Sequence, residues 1–108
     1  MSVYFVAQWS VPEADRDACE GILASLAAHI QEAHPMVRSV RTMRQWWGQF
    51  PRRTYIWYEE FEDLGALQAA DDPGICAGLW ADLSRLADAG TMHGSVWEDP
   101  QRESWFER

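Results

Sequence analysis

The sequence predicts one α+β domain in which a four-stranded antiparallel sheet carries two helices on one face. Three observations predict it. Strand-type and helix-type segments follow one another as strand, helix, strand, strand, helix, strand. The second and third strands are joined by a short Gly-Gln-Phe-Pro-Arg-Arg connection that suits an antiparallel hairpin. The chain has 108 residues, the length of a single domain.

Residues 3–10, Val-Tyr-Phe-Val-Ala-Gln-Trp-Ser, are rich in β-branched and aromatic side chains and stop before Pro12, so they read as the first strand. From Pro12 to about Ala33 the composition turns to Ala, Leu and acids. Glu13, Asp15 and Asp17 are loaded at the start, where negative charge complements a helix N-terminus. At about 100° per residue, Cys19, Ile22, Leu23, Leu26, Ile30 and Ala33 fall in one stripe, the core-facing side. His34-Pro35 ends this helix, because the residue before proline is pushed out of the α region. Met36 to about Trp47 reads as the second strand, 48–53 as the turn, and 54–61, Thr-Tyr-Ile-Trp-Tyr-Glu-Glu-Phe, as the third strand. Helical spacing resumes at Leu64, Leu67 and Ala70, breaks at Asp71-Asp72-Pro73-Gly74, and returns from Ile75 to Ala89. Gly90 stands where a helix C-cap belongs, Thr91–Glu98 is the fourth strand, and 99–108 is a polar tail carrying Trp105 and Phe106.

Nine basic and seventeen acidic residues give a net charge of −8, which disfavours a nucleic-acid partner, since phosphate neutralisation needs a basic stripe. All the basic side chains are Arg, and Lys and Asn are absent, as in proteins from GC-rich, bacterial genomes. Cys19 and Cys76 lie far apart, in no metal-type or redox-type spacing, which suits a reducing compartment. No basic leader precedes the first apolar run and no stretch approaches the ~18 apolar residues of a membrane span, so a cytoplasmic protein without a membrane partner is expected. No phosphate-cradling glycine loop is present, and no cofactor is expected.

Alternation places Tyr55, Trp57, Glu59 and Phe61 on one side of the third strand and Ile56, Tyr58 and Glu60 on the other. The first strand divides likewise into Val3, Phe5, Ala7 and Trp9 against Tyr4, Val6 and Gln8. Neither face suits water, yet two helices cover only one. A second copy of the chain is the expected cover, so a homodimer is predicted.

Residues 55–67, Tyr-Ile-Trp-Tyr-Glu-Glu-Phe-Glu-Asp-Leu-Gly-Ala-Leu, run a strand with acidic and aromatic residues straight into a helix. With the element order, this resembles the dimeric α+β barrel superfamily, and within it the antibiotic-biosynthesis-monooxygenase-like proteins. The resemblance implies a ferredoxin-like fold and a ligand cavity between the sheet and helices of each subunit. It also spans several activities: cofactor-free oxygenases of aromatic polyketides, cyclases, isomerases and haem-degrading enzymes. Residues 69–72, Ala-Ala-Asp-Asp, lack the histidine often found at the second helix of the monooxygenase-like pattern.

Candidate acid–base groups are His29, His93 and Glu59. His29 projects from the edge of the apolar stripe, with Ser25 and Glu32 within reach; a solvated surface histidine is the alternative. His93 shares a strand side with Thr91, Ser95 and Trp97, and otherwise serves as a cross-strand packing residue. Glu59 among Tyr55 and Trp57 would have a raised pKa, unless an Arg on the neighbouring strand pairs with it. On the second strand Arg41 takes one face and Arg38 and Arg44 the other; Arg41 or Arg44 beside Trp46 and Trp47 could hold a substrate oxygen, or the arginines could simply solvate an edge strand. Trp46, Trp47, Tyr55, Trp57, Tyr58 and Trp80 could form a flat-walled pocket for a small aromatic molecule, or serve core and interface packing. His34 is expected to be a helix-cap residue. Five residues apart, His29 and His34 are expected on different helix faces, and with no Cys or carboxylate to complete a ligand set, no metal is predicted. The sequence thus points to a small cofactor-independent enzyme, a monooxygenase, cyclase or isomerase, acting on an aromatic or polyketide-like metabolite. The alternatives are a non-catalytic ligand-binding or structural dimer, and, on the resemblance, a haem-binding protein with His29 or His93 as axial ligand.

Overall fold

The structure is a computed structural model, and it describes residues 2–70, 74–100, 106 and 108, with the backbone alone at Ile75. The elements are β1 (Val3–Ser10), α1 (Arg16–Ala33), β2 (Val37–Arg44), β3 (Thr54–Phe61), α2 (Leu64–Ala69), α3 (Ile75–Leu86) and β4 (His93–Glu98), with a short 3-10 turn at Glu13–Asp15 before α1. The strands form one antiparallel sheet in the order β2-β3-β1-β4, the ferredoxin-like arrangement, with the helices on one face. No helix among the described residues is long and apolar enough to cross a membrane.

β1 and β3 have the limits their composition predicts, and the departures have local causes. β2 ends at Arg44, three residues early. The Gln45 side-chain amide donates to the carbonyls of Phe50 and Pro51, while Gln45 N donates to Thr54 O at 2.8 Å, closing a loop that throws Trp46 and Trp47 outwards. The helical segment after β3 is interrupted as expected. α2 opens on Asp63, whose carboxylate accepts from Ala66 N at 2.8 Å, an N-cap that turns the strand directly into helix. α3 stops at Leu86 rather than Ala89, and Gly90, at φ +77°, supplies the left-handed residue of the turn into β4.

The core lies between the helices and the inward side of β1 and β3. Trp9, Val11, Cys19, Leu26, Trp57, Phe61 and Leu83 are fully buried. Trp9 stacks on Tyr55 with centroids 6.0 Å apart, and Trp80 of α3 meets Trp9, Trp57 and Phe5 edge-on, the geometry ring quadrupoles favour. On the far face Tyr4, Val6, Gln8, Ile56 and Tyr58 form, with His93, Ser95 and Trp97, an open groove of about 520 Å³ that none of the described helices covers. Trp97 is 61% exposed there.

Leu26 sits at the centre of the α1 contact, so Leu26→Ala should destabilise the chain by about 2–5 kcal/mol. Urea unfolding should show a lower midpoint with an unchanged slope.

Candidate active site

β3 is a central strand, so its helix-facing side is closed on both flanks by neighbouring strands. Glu59 stands on that side, opposite Phe5 of β1 and Val40 of β2, and is 9% exposed. The residue facing it on β2 is therefore a valine rather than an arginine. The Trp57 indole Nε1–H donates to Glu59 Oε1 at 2.7 Å. Burial pushes the Glu59 carboxyl above the usual carboxylate range, against the smaller opposing effects of the Trp57 hydrogen bond and the His34 imidazole. The carboxyl opens into a small cavity of about 200 Å³, walled by Phe5, Ile30, Val37 and Trp80, with His34 and Cys76 at its rim.

This cavity is one end of a longer cleft between α1 and the β2–β3 half of the sheet. A second chamber of about 270 Å³ shares Ile30 and Val37 with it. A third, of about 430 Å³, shares Ala27 and Val40 with the second and ends at Glu20, Arg44, Tyr55 and Trp57. There the Tyr55 hydroxyl donates to Glu20 Oε2 at 2.6 Å, and Arg44 Nη1 reaches the same oxygen at 3.2 Å. Burial, reinforced by the bond to Glu20, pushes the Tyr55 hydroxyl up, so it remains a donor. The cleft thus runs from a buried acid to a donor pair between apolar walls. At about 430 Å³ the third chamber by itself falls in the roughly 300–1,000 Å³ range of small-molecule sites.

The predicted residues divide between the two sheet faces. Glu59, Tyr55, Trp57, Arg44 and Trp80 meet along the cleft. Arg41, paired across the sheet with Tyr58, and His93, paired with Gln8, stand on the opposite face. Trp46 and Trp47 are 78% and 88% exposed in the β2–β3 loop, where the Arg52 guanidinium lies 4.0 Å over the Trp46 ring. His29 is half-buried at the end of α1 and packs edge-on against His34, with ring centroids 5.5 Å apart.

That last contact overturns the expectation from spacing. Two helical residues five apart point roughly 140° from each other. His34, however, has φ −124° and ψ 76°, outside the helix, because Pro35 follows it. Its ring therefore folds back beside His29, and Cys76 from α3 brings its thiol to 3.9 Å from His34 Nε2. Spacing alone misses His34 and Cys76; Pro35 is the one signal in the sequence that points to the change of direction.

No protein-family model matches the chain, and no curated protein sequence is significantly similar to it. Solved structures are. SnoaB, a cofactor-independent oxygenase from Streptomyces nogalater, aligns with a TM-score of 0.75 at 19% identity, covering 96% of this chain and 98% of that one. A proposed antibiotic biosynthesis monooxygenase from Caulobacter crescentus CB15 aligns at 0.75 and 17% identity, covering 91% and 89%. An ethyl tert-butyl ether D family protein from Bacillus halodurans aligns at 0.68 and 18% identity, covering 92% and 99%. The chain shares its ferredoxin-like fold with these structures.

A raised carboxyl makes stability depend on pH in a defined direction. At low pH folded and unfolded chains both hold the Glu59 proton. As pH rises, the unfolded chain releases it first, so stability falls until the folded-state value is passed. Glu59→Gln should be more stable than the parent at neutral pH and should lose this part of the decline, as read from urea midpoints between about pH 4 and pH 8.

Proposed function

We propose that this protein is a small cofactor-independent enzyme, a monooxygenase, cyclase or isomerase, acting on an aromatic or polyketide-like metabolite held in the cleft beneath α1. The observation that carries this reading is Glu59: a carboxyl buried among apolar walls, oriented by one indole N–H, and opening into a cavity. In this reading the Glu59 carboxylate takes a proton from an activated carbon or a phenol of the substrate. Arg44, at the far end of the cleft, keeps guanidinium N–H donors beyond the one it gives Glu20 and holds a substrate oxygen on which charge develops, while the Trp57 and Trp80 rings pack the aromatic system and exclude water.

Where dioxygen is the co-reactant, the substrate carbanion adds to it and Glu59 returns the proton, giving a hydroperoxide. Loss of the remaining C–H proton with O–O cleavage then leaves a carbonyl and one water. Without dioxygen the same proton transfer drives ring closure or isomerisation. The likeness to a cofactor-independent oxygenase supports the reading. Glu59 is favoured over His29 and His93 because, of the three, it lines the cleft.

Oxygen uptake and product formation on a panel of planar phenols test the proposal. Glu59→Gln should lower kcat by about 10²–10⁴-fold, the usual contribution of a general base, while tryptophan quenching still reports ligand binding. Activity of the variant within about twofold of the parent would remove Glu59 from this role.

We also propose that a second copy of the chain covers the open sheet face. Tyr4, Val6, Ile56 and Tyr58 lie there without cover from any described helix, and Arg41 and Glu60 on the same face are of opposite charge, as a two-fold contact can use. Sedimentation should give a dimer for the parent and a monomer for Val6→Glu with Ile56→Glu; a monomeric parent contradicts the proposal.

A further inference from the structure

We propose that His29, His34 and Cys76 form a binding site for a thiophilic divalent cation, with Zn²⁺ as the reference ion, at the rim of the cleft. The three side chains come from the last turns of α1, its C-cap and the start of α3, so the tertiary fold, not a local motif, brings them together. One donor atom from each lies within 4.8 Å of the others. All three residues are half-buried, which limits competition from bulk water while leaving a path in.

The donor chemistry is specific. Two imidazoles and a thiol are the nitrogen and sulfur ligands zinc selects, with Zn–N near 2.0–2.1 Å and Zn–S near 2.3 Å. A tetrahedral ion with those bonds holds its donors about 3.3–3.6 Å apart. Closing the present spacing to that value takes a movement on the order of 1 Å, within reach of side-chain torsions. Binding requires the thiol to lose its proton and the imidazoles to be neutral at their ligating nitrogens, so occupancy releases protons.

Among the described residues these three supply the ligand set, and the tetrahedral geometry that zinc favours has a fourth position. His34 and Cys76 also line the chamber into which Glu59 opens. The inference stands apart from the proposed turnover: the ion can bind whether or not Glu59 moves a proton, and its test needs no substrate.

Titration calorimetry of the metal-stripped, reduced full chain with ZnCl₂ should show one ion bound per chain. Co²⁺ should give a tetrahedral d–d spectrum with a thiolate-to-cobalt charge-transfer band. Cys76→Ser should abolish that band, and His29→Gln and His34→Gln should each weaken Zn²⁺ by at least about tenfold, a loss comparable to that from removing even an outer-shell partner. Cys19→Ser and His93→Gln should leave affinity unchanged. Near-ultraviolet circular dichroism of each variant checks that it is folded. No saturable Zn²⁺ binding by the parent, or binding that survives all three ligand substitutions, would overturn the site.

Discussion

The structure turns on β3 being paired on both sides while a helix roofs one of its faces. A central strand offers its side chains no lateral escape, so everything on the roofed face is committed to the interior. Tyr55, Trp57 and Phe61 gain from that burial, whereas Glu59 at the same parity does not. An isolated buried carboxylate is costly unless it is hydrogen-bonded or holds its proton. Here the Trp57 N–H supplies one bond and the apolar walls favour the neutral acid. A position that packing alone would fill with Val or Leu instead carries an acid at the end of a cavity, and that departure marks the site.

The same geometry explains why the cleft exists. Trp80, set edge-on against Trp9, Trp57 and Phe5, fills the space over β1 and β3. α1 is held down by Leu23, Leu26 and Ile30. Over β2 the small Ala24 and Ala27 face Val40 and Thr42 and leave room that large side chains would have closed. Rigid ring packing on one side and small residues on the other produce an elongated, mostly apolar slot with polar groups at its two ends. Such an arrangement trades stability for a site, the usual relation between the two.

Much of this is legible in the sequence. Alternation in 54–61 places Glu59 with Tyr55 and Trp57, and the second strand's parity separates Arg41 from Arg44. What alternation cannot say is which face the helices take, and so it leaves Arg41, Tyr58 and His93 grouped with residues on the opposite face. Trp46 and Trp47 continue a strand-like composition, but Gln45 ends the strand by capping loop carbonyls with its side chain, a tertiary choice invisible to propensity. The expected separation of His34 from His29 extends helical periodicity one residue past the helix; the proline rule that ends the helix also redirects that side chain. Cys76 joins the histidines only through the packing of α3 against α1.

Glu59 is a carboxyl whose buried setting holds its proton above the ordinary range. A carbon-13 NMR titration of metal-free protein labelled at the glutamate carboxyl, assigned by comparison with Glu59→Gln, measures this directly. One resonance, lost in the variant, should titrate clearly above the other glutamates. A Glu59 resonance titrating together with the exposed glutamates would contradict this.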